Sequence, residues 1–423
     1  MKRKKYMFLF GVLLLSLTSL SPGLNQTPSD YTKEQRRPAL YPLPSSQRNP
    51  DDHLPIRIMV NLNSYEFEEL LKYNNDYMKE TGNLVEMTNV PNADAYHIFN
   101  SSLAVGEAPD IMVMNSTWVR SFATQGYLLP VESYQSTASG REAVRALLQP
   151  LTWNGYQWGT PMDMDPYVLS WHTDSLKAMG IEDLPQGSKA WKELLAKQET
   201  RKDKKLIAMN TEDAFALAAL TVAMDGNPLH LSEEDMDLLT KARPAFDFSP
   251  KGSMNDLTSG TVGNIPLEVL PISKAVTLDG VYRDRSKELQ MPESYYASNP
   301  FLLRSRSFAV TAQSTHPKRA AEWVAYMNDP ALQLKWFKHT GKLPALTANY
   351  LGDVVNDTQE IPVRLNELLH SGVDIDIKVD NEIQGKWDLY NKAAKLWLSG
   401  INTAQQYKQM VEAVQKEKDK SIK

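Results

Sequence analysis

A chain of 423 residues is long enough for two lobes of ordinary domain size. Its hydrophobic fraction of 42% and charged fraction of 23% are those of a globular protein, and a formal net charge of −5 gives nucleic-acid binding no electrostatic support. There is no cysteine, which excludes disulfides, thiol catalysis and cysteine-based zinc sites together.

The chain begins with a basic stretch, Lys2-Arg3-Lys4-Lys5, followed by an apolar core from Tyr6 to Leu20. That is the pattern of an export signal, and the core is shorter than the roughly 20 residues of a comfortable membrane span. Residues 1–21 are read as a signal peptide, with an uncleaved N-terminal anchor as the alternative. Residues 22–52 are rich in Pro, Ser, Gln and Arg and are read as a polar linker.

The folded body opens with an apolar strand, Ile56 to Val60, and a loop, Asn61 to Ser64. Asn63 or Ser64 can cap a helix from Tyr65 to Thr81, where Phe67, Leu70, Leu71, Asn74, Tyr77 and Met78 recur at helical spacing. A strand over Leu84–Met87, a helix over Tyr96–Val105 and a third strand from Ile111 follow. Gly155 marks a turn between Trp153 and Tyr156. Pro161 interrupts the next strand, and Asp163 and Asp165 are read in an open polar turn. Tyr167 to Trp171 has the composition of a buried strand. Asp174 is expected to cap a helix that Gly180 ends. A buried helix lies between Asn210 and Met224, and a more polar one within Leu231–Phe248. Gly252 to Leu267 is assigned no regular structure. Arg304 to Ala312 reads as a strand. Ser314 and Thr315 are natural caps for the next helix, with Pro317 in its first turn. Trp323 and Trp336 are read as core. The lysine-rich tail from Lys416 is read as solvated.

This alternation of strands and helices predicts α/β architecture, with a mainly parallel sheet and helices on both faces. Ligands of such sheets sit beyond the carboxyl ends of the strands, which puts Asn61–Ser64 and Asn115–Trp118 at the mouth of a cleft.

A set of small punctuating residues carries a family resemblance. Gly155, Trp158-Gly159-Thr160-Pro161, Leu169-Ser170-Trp171-His172-Thr173-Asp174, Leu176, Gly180-Ile181 and Trp191 stand in a fixed order. So do Gly106 with Pro109-Asp110-Ile111, Gly126 with Pro130, Ser314 with His316-Pro317, Gly341-Lys342-Leu343-Pro344-Ala345, and Gly400 with Thr403-Ala404. From about Ile56 to Val414 the chain resembles the extracellular solute-binding proteins of ABC importers, of the maltose- and oligosaccharide-binding type. It departs from the pattern at His172, where the family usually has Asn. The stretch Ser273 to Tyr282 is one residue short of the family's form, with Tyr282 at the usual aromatic position.

The resemblance implies a two-lobed periplasmic-binding-protein type II fold with a hinge between lobes. The expected boundaries are 53–163 plus 304–346 for the N-terminal lobe and 164–303 plus 347–423 for the C-terminal lobe. Chain crossings are expected near Met162–Pro166, Pro300–Arg304 and Ala345–Tyr350. The implied function is capture of a sugar, an oligosaccharide, in the interlobe cleft and delivery to ABC permease subunits in the membrane. The implied protein is a monomer without cofactor or metal, secreted or anchored at the outer face of the cell membrane. It is not a lipoprotein, for want of a cysteine.

Sugar sites join flat aromatic faces to short polar groups that exchange hydrogen bonds with hydroxyls. The ligand-binding candidates are Asp163, Asp165, Tyr282, Trp118, Asn115, Asn63 and Tyr65; Asp165 and Tyr282 take this role from the resemblance. Two other readings stay open: a sensor subunit of the same fold, and a secreted glycan-active enzyme. The enzyme lacks a second acid across a cleft, a serine-hydrolase G-x-S-x-G and a metal-binding histidine motif. Tyr295-Tyr296 is the remaining pair that could ligate iron.

Overall fold

Ile56, Ile58 and Val60 alternate with the more exposed Arg57 and Met59, and this five-residue strand, β1 (Ile56–Val60), lies one strand in from the edge of a six-stranded sheet. The computed structural model describes residues 54–90, 94–134, 142–198, 205–210, 215–226, 231–248, 265–281, 287–291, 296, 300–350 and 383–416. The proposed signal and linker, Tyr282, Tyr295, most of Gly252–Leu267 and the end of the lysine-rich tail lie outside these residues.

After β1 the helix Ser64–Thr81 starts on a capping box. The Asn63 side chain accepts from the Glu66 backbone, and the Glu66 carboxylate accepts from the Asn63 N–H. Then come β2 (Val85–Asn89), the helix Ala95–Ala104, β3 (Ile111–Asn115) and the helix Ser116–Thr124. A two-residue hairpin follows, β4 (Thr152–Trp153) and β5 (Tyr156–Gln157). Its turn residues Asn154 and Gly155 both have positive φ, as an Asn-Gly hairpin turn requires. β6 (Thr160–Met164) completes this part of the chain.

The second sheet begins with β7 (Tyr167–His172), followed by β8 (Ile207–Met209), β9 (Phe246–Asp247), β10 (Leu267–Pro271) and β11 (Lys287–Gln290). The chain then returns to the first sheet with β12 (Arg306–Val310), and β13 (Leu343–Pro344) ends it. The first sheet runs in the order β13, β6, β12, β3, β1, β2, and the second β11, β7, β10, β8, β9. Both lie within one unit, Asp52–Lys423.

The two-sheet α/β fold is as expected, but the sheets are mixed rather than mainly parallel. β1 is parallel to β2 and β3, whereas β12 is antiparallel to β3 and β6. Connectivity explains this. The chain leaves the first sheet at the end of β6 and re-enters along the same edge at Arg306, so the returning strand must run the other way.

The first sheet is covered on both faces. Ile111 and Val113 pack with Leu70, Tyr77, Trp323 and Trp336, while Met112 and Met114 pack with Phe99, Val119 and Phe122. The core of the second sheet lies under Trp191, Leu217, Met236 and Trp397 and runs on to Met164, Phe337 and Leu343 beside the first. Trp323 and Trp336 are core, as read from the sequence.

Two caps differ from expectation. The helix after β7 spans Thr173–Ala178, so Asp174 lies in its first turn and His172 is the N-cap. The helix Pro317–Met327 has Pro317 at its start, His316 as N-cap and no side-chain cap; the Ser314 hydroxyl donates to Asp110 and accepts from the His316 N–H, one residue before the helix.

Candidate functional site

The carboxyl ends of β1 and β3, the end of β6 and the start of β12 meet at one edge of the first sheet. Arg306 is opposite Asn115 on one side and Asp163 on the other. From this position its guanidinium reaches three groups. Nε donates to Asp163 Oδ1 at 2.9 Å, one terminal nitrogen pairs with Asp163 Oδ2, and the other donates to Glu66 Oε2 at 2.7 Å. Trp336 Nε1 also donates to Asp163 Oδ2, at 2.9 Å. Lys342 sits 3.3 Å from Glu66 and 2.7 Å from Asp165. Arg304 stands 3.8 Å from Asp165. Three acids and three bases thus form one chain of contacts, Asp163–Arg306–Glu66–Lys342–Asp165–Arg304.

This changes the place of both predicted acids. Asp163 is not in an open polar turn. It is a strand residue with 0% exposure, and both oxygens are occupied by Arg306 and Trp336. Asp165 is also buried, and besides Lys342 it accepts from the backbone N–H and hydroxyl of Ser273 at 3.0 and 2.9 Å. An isolated carboxylate could not stay charged at such depth, and the adjacent cations are what keep it so.

The other candidates divide. Asn63 and Tyr65 are exposed at the start of the helix Ser64–Thr81, Tyr65 with 53% of its surface free. Asn115 caps the helix Ser116–Thr124, its Oδ1 accepting from the Thr117 N–H and hydroxyl at 3.0 Å each. Trp118 is core, with 9% exposure and its ring edge-on to Tyr96 and Phe99. Tyr282 lies outside the described residues. Tyr296 is buried, and its hydroxyl donates to the Tyr167 carbonyl at 2.6 Å, a core role rather than an iron ligand's.

Glu66, Arg304, Arg306, Lys342, Ser273 and Phe215 escape the sequence reading. Phe215 is half-buried just after the carboxyl end of β8 and stacks on Tyr167 at 6.5 Å. The Arg304 guanidinium lies over both rings, 5.1 Å from Tyr167 and 5.5 Å from Phe215. Arg304 also has φ of 50°, unusual for a residue with a side chain, at the point where the chain re-enters the first sheet. One signal was in the sequence: Arg304-Ser305-Arg306 puts two charges at the head of an otherwise apolar strand.

Burial works to raise the Glu66 pKa, but Arg306 and Lys342 overcome it and leave it below its ordinary value. Burial opposes ionisation of Asp165 too, and Lys342 and Arg304 hold that carboxyl well below the usual range. Both therefore bind a proton more weakly in the folded state than in the unfolded one. Their contribution to stability is full above the ordinary carboxylate pKa of about 4 and is lost as pH falls toward the depressed folded values. A melting series is expected to hold down to about pH 5 and to drop steeply below about pH 4. Melting that stays level to about pH 3 contradicts this linkage. A glycosidase's acid needs a raised pKa, the opposite of what these two carboxylates show. Among the described residues no group of three His, Cys, Asp or Glu could hold a metal ion, and no helix is long and apolar enough to cross a membrane.

The fold is shared with proteins of solved structure. The fold matches the GacH receptor of Streptomyces glaucescens, solved unliganded and with acarbose, at TM-score 0.63 and 16% identity over 86% of this chain and 97% of that one. It matches the sugar-binding protein MalE of Xanthomonas citri at TM-score 0.63 and 14% identity, over 87% and 99%. It matches the galacto-N-biose-/lacto-N-biose I-binding protein of the Bifidobacterium longum ABC transporter at TM-score 0.63 and 16% identity, over 88% and 98%. No curated protein sequence matches. Residues 72–363 match the family described as bacterial extracellular solute-binding protein. That match covers well over half of the chain, from within the helix Ser64–Thr81 to beyond β13, and the chain belongs to the bacterial extracellular solute-binding proteins.

Proposed function

We propose that this extracytoplasmic binding protein captures a sugar, an oligosaccharide, between its two lobes and delivers it to the permease subunits of an ABC importer. One observation carries the sugar reading: the fold is shared along nearly the whole length of binding proteins solved with acarbose and with lacto-N-biose. The proposed lobes are residues 53–163 with 304–346 and residues 164–303 with 347–423, acting as a monomer. Asn63, Tyr65 and Asn115 on the first lobe, with Tyr282 and Phe215 on the second, are the proposed solute contacts. They combine aromatic faces with short amides, the chemistry a pyranose requires. Asp163 and Asp165 are reassigned to the support of the crossings, since solute would have to displace Arg306, Lys342 or Ser273 to reach them.

Binding is proposed to close the lobes by a hinge rotation. Small-angle scattering tests this. The radius of gyration is expected to fall when a bound sugar saturates the protein. An unchanged profile at saturation counts against a closing clamp.

A further inference from the structure

The helix Pro330–Thr340, next to β13 of the first sheet, ends at Gly341 with φ of 70°. The helix Ile272–Val281, which follows β10 of the second sheet, begins beside it. A Cβ placed on Gly341 would lie 2.5 Å from the Ser273 carbonyl oxygen and 2.8 Å from its Cα. Only glycine allows the two helix ends to meet in this way, both for its φ and for the space.

Asp165 closes on the same point. It lies in the short link between β6 of the first sheet and β7 of the second. Its Oδ1 accepts from the Ser273 N–H, and its Oδ2 accepts from the Ser273 hydroxyl and from Lys342 at 2.7 Å. The backbone is tied here as well. The Asp165 N–H donates to the Leu303 carbonyl at 3.0 Å, and the Ile272 N–H donates to the Pro166 carbonyl at 2.9 Å. Beneath these bonds Met164, Phe337 and Leu343 share one apolar core with Ile272 and Leu303. The outgoing link, the returning link and the starts of two facing elements are thus fastened within a few bonds of one another.

We propose that Gly341, Ser273 and Asp165 form the pivot on which the two lobes turn, with Asp165 as its clamp and not a group that touches solute. The close backbone approach opposes movement of either element toward the other, and their separation stretches the two Asp165–Ser273 bonds. Rotation about the contact keeps them. The cations at Lys342 and Arg304 hold Asp165 ionised, so it keeps accepting from the Ser273 N–H throughout the motion. Asp165 is a positioning residue in this account, and the proposal rests on the hinge reading above.

The absence of native cysteine allows a direct test in the full-length protein. Val105 on the first lobe and Ile401 on the second are 68% and 71% exposed, so Val105→Cys with Ile401→Cys accepts spin labels without disturbing a core. Pulsed electron spin resonance then reads the interlobe distance without ligand. Ser273→Ala removes one hydroxyl and is expected to broaden the distance distribution by several ångström. Gly341→Ala is expected to shift its mean outward as well. If Gly341→Ala fails to fold, Ser273→Ala decides, with a thermal melt confirming its fold. A folded Ser273→Ala protein with the parent's distribution overturns the pivot. The hinge reading is judged separately, on the labelled parent with and without a sugar that raises its melting temperature. An unmoved parent distance sinks that reading whatever the variants do.

Discussion

Replacing Arg306 by methionine is expected to destabilise the protein by about 3–5 kcal/mol, the cost of breaking a buried ion pair from one side. The side chain pairs with Asp163 and Glu66 together, and both acids are buried. Methionine fills much of the volume but leaves two buried carboxylates without the guanidinium, with Lys342 as the cation remaining beside Glu66. Asp163 keeps Trp336 alone. Adding Asp163→Asn removes one of the stranded charges and is expected to recover part of the loss, because the two residues share an interaction and their effects are not additive. Urea unfolding of the two variants measures this. A loss below about 1 kcal/mol for Arg306→Met would show that the network contributes no more than exposed surface pairs do.

Trp323→Ala is expected to cost about as much, roughly 3–5 kcal/mol, through a different term. The indole is fully buried between the first sheet and the helix Ser64–Thr81, edge-on to Phe308 at 5.6 Å. Its Nε1 donates to Asn74 Oδ1 at 3.0 Å, and Asn74 is buried as well. Alanine therefore opens a large cavity and strands a buried amide oxygen. Trp323→Phe keeps most of the apolar volume and loses the hydrogen bond, so its smaller loss separates the two terms. Equal losses for alanine and phenylalanine would assign the whole effect to the Asn74 bond.

What the sequence discloses is mostly local. The capping box at Asn63–Glu66, the Asn154-Gly155 turn and the alternation of Ile56, Ile58 and Val60 rest on neighbours a few residues apart. The fold follows from such signals in series, together with the punctuating residues of the family pattern. The site is less legible because its partners are distant. Asp163 looks like a turn acid beside Pro161, and its burial depends on Arg306, 143 residues later. Asp165 likewise meets Ser273 and Lys342, 108 and 177 residues away. Trp118 follows a strand as a cleft residue would, but Tyr96 and Phe99 on the preceding helix draw it inward. The mixed sheet direction was hidden for the same reason: two lobes joined by crossings make the return strand antiparallel, and no stretch of β12 records which way its neighbours run.

The central claim is that a sugar binds between the lobes, and a melting-temperature screen of the unmodified protein tests it most directly. A ligand that binds only the folded state stabilises by mass action, about 2.7 kcal/mol at a hundred times its dissociation constant. The panel runs from monosaccharides and polyols to oligosaccharides, with amino acids, short peptides and inorganic anions beside them. The account predicts that at least one oligosaccharide raises the melting temperature in a saturable way and that the other classes do not. A rise confined to amino acids, peptides or anions would contradict it.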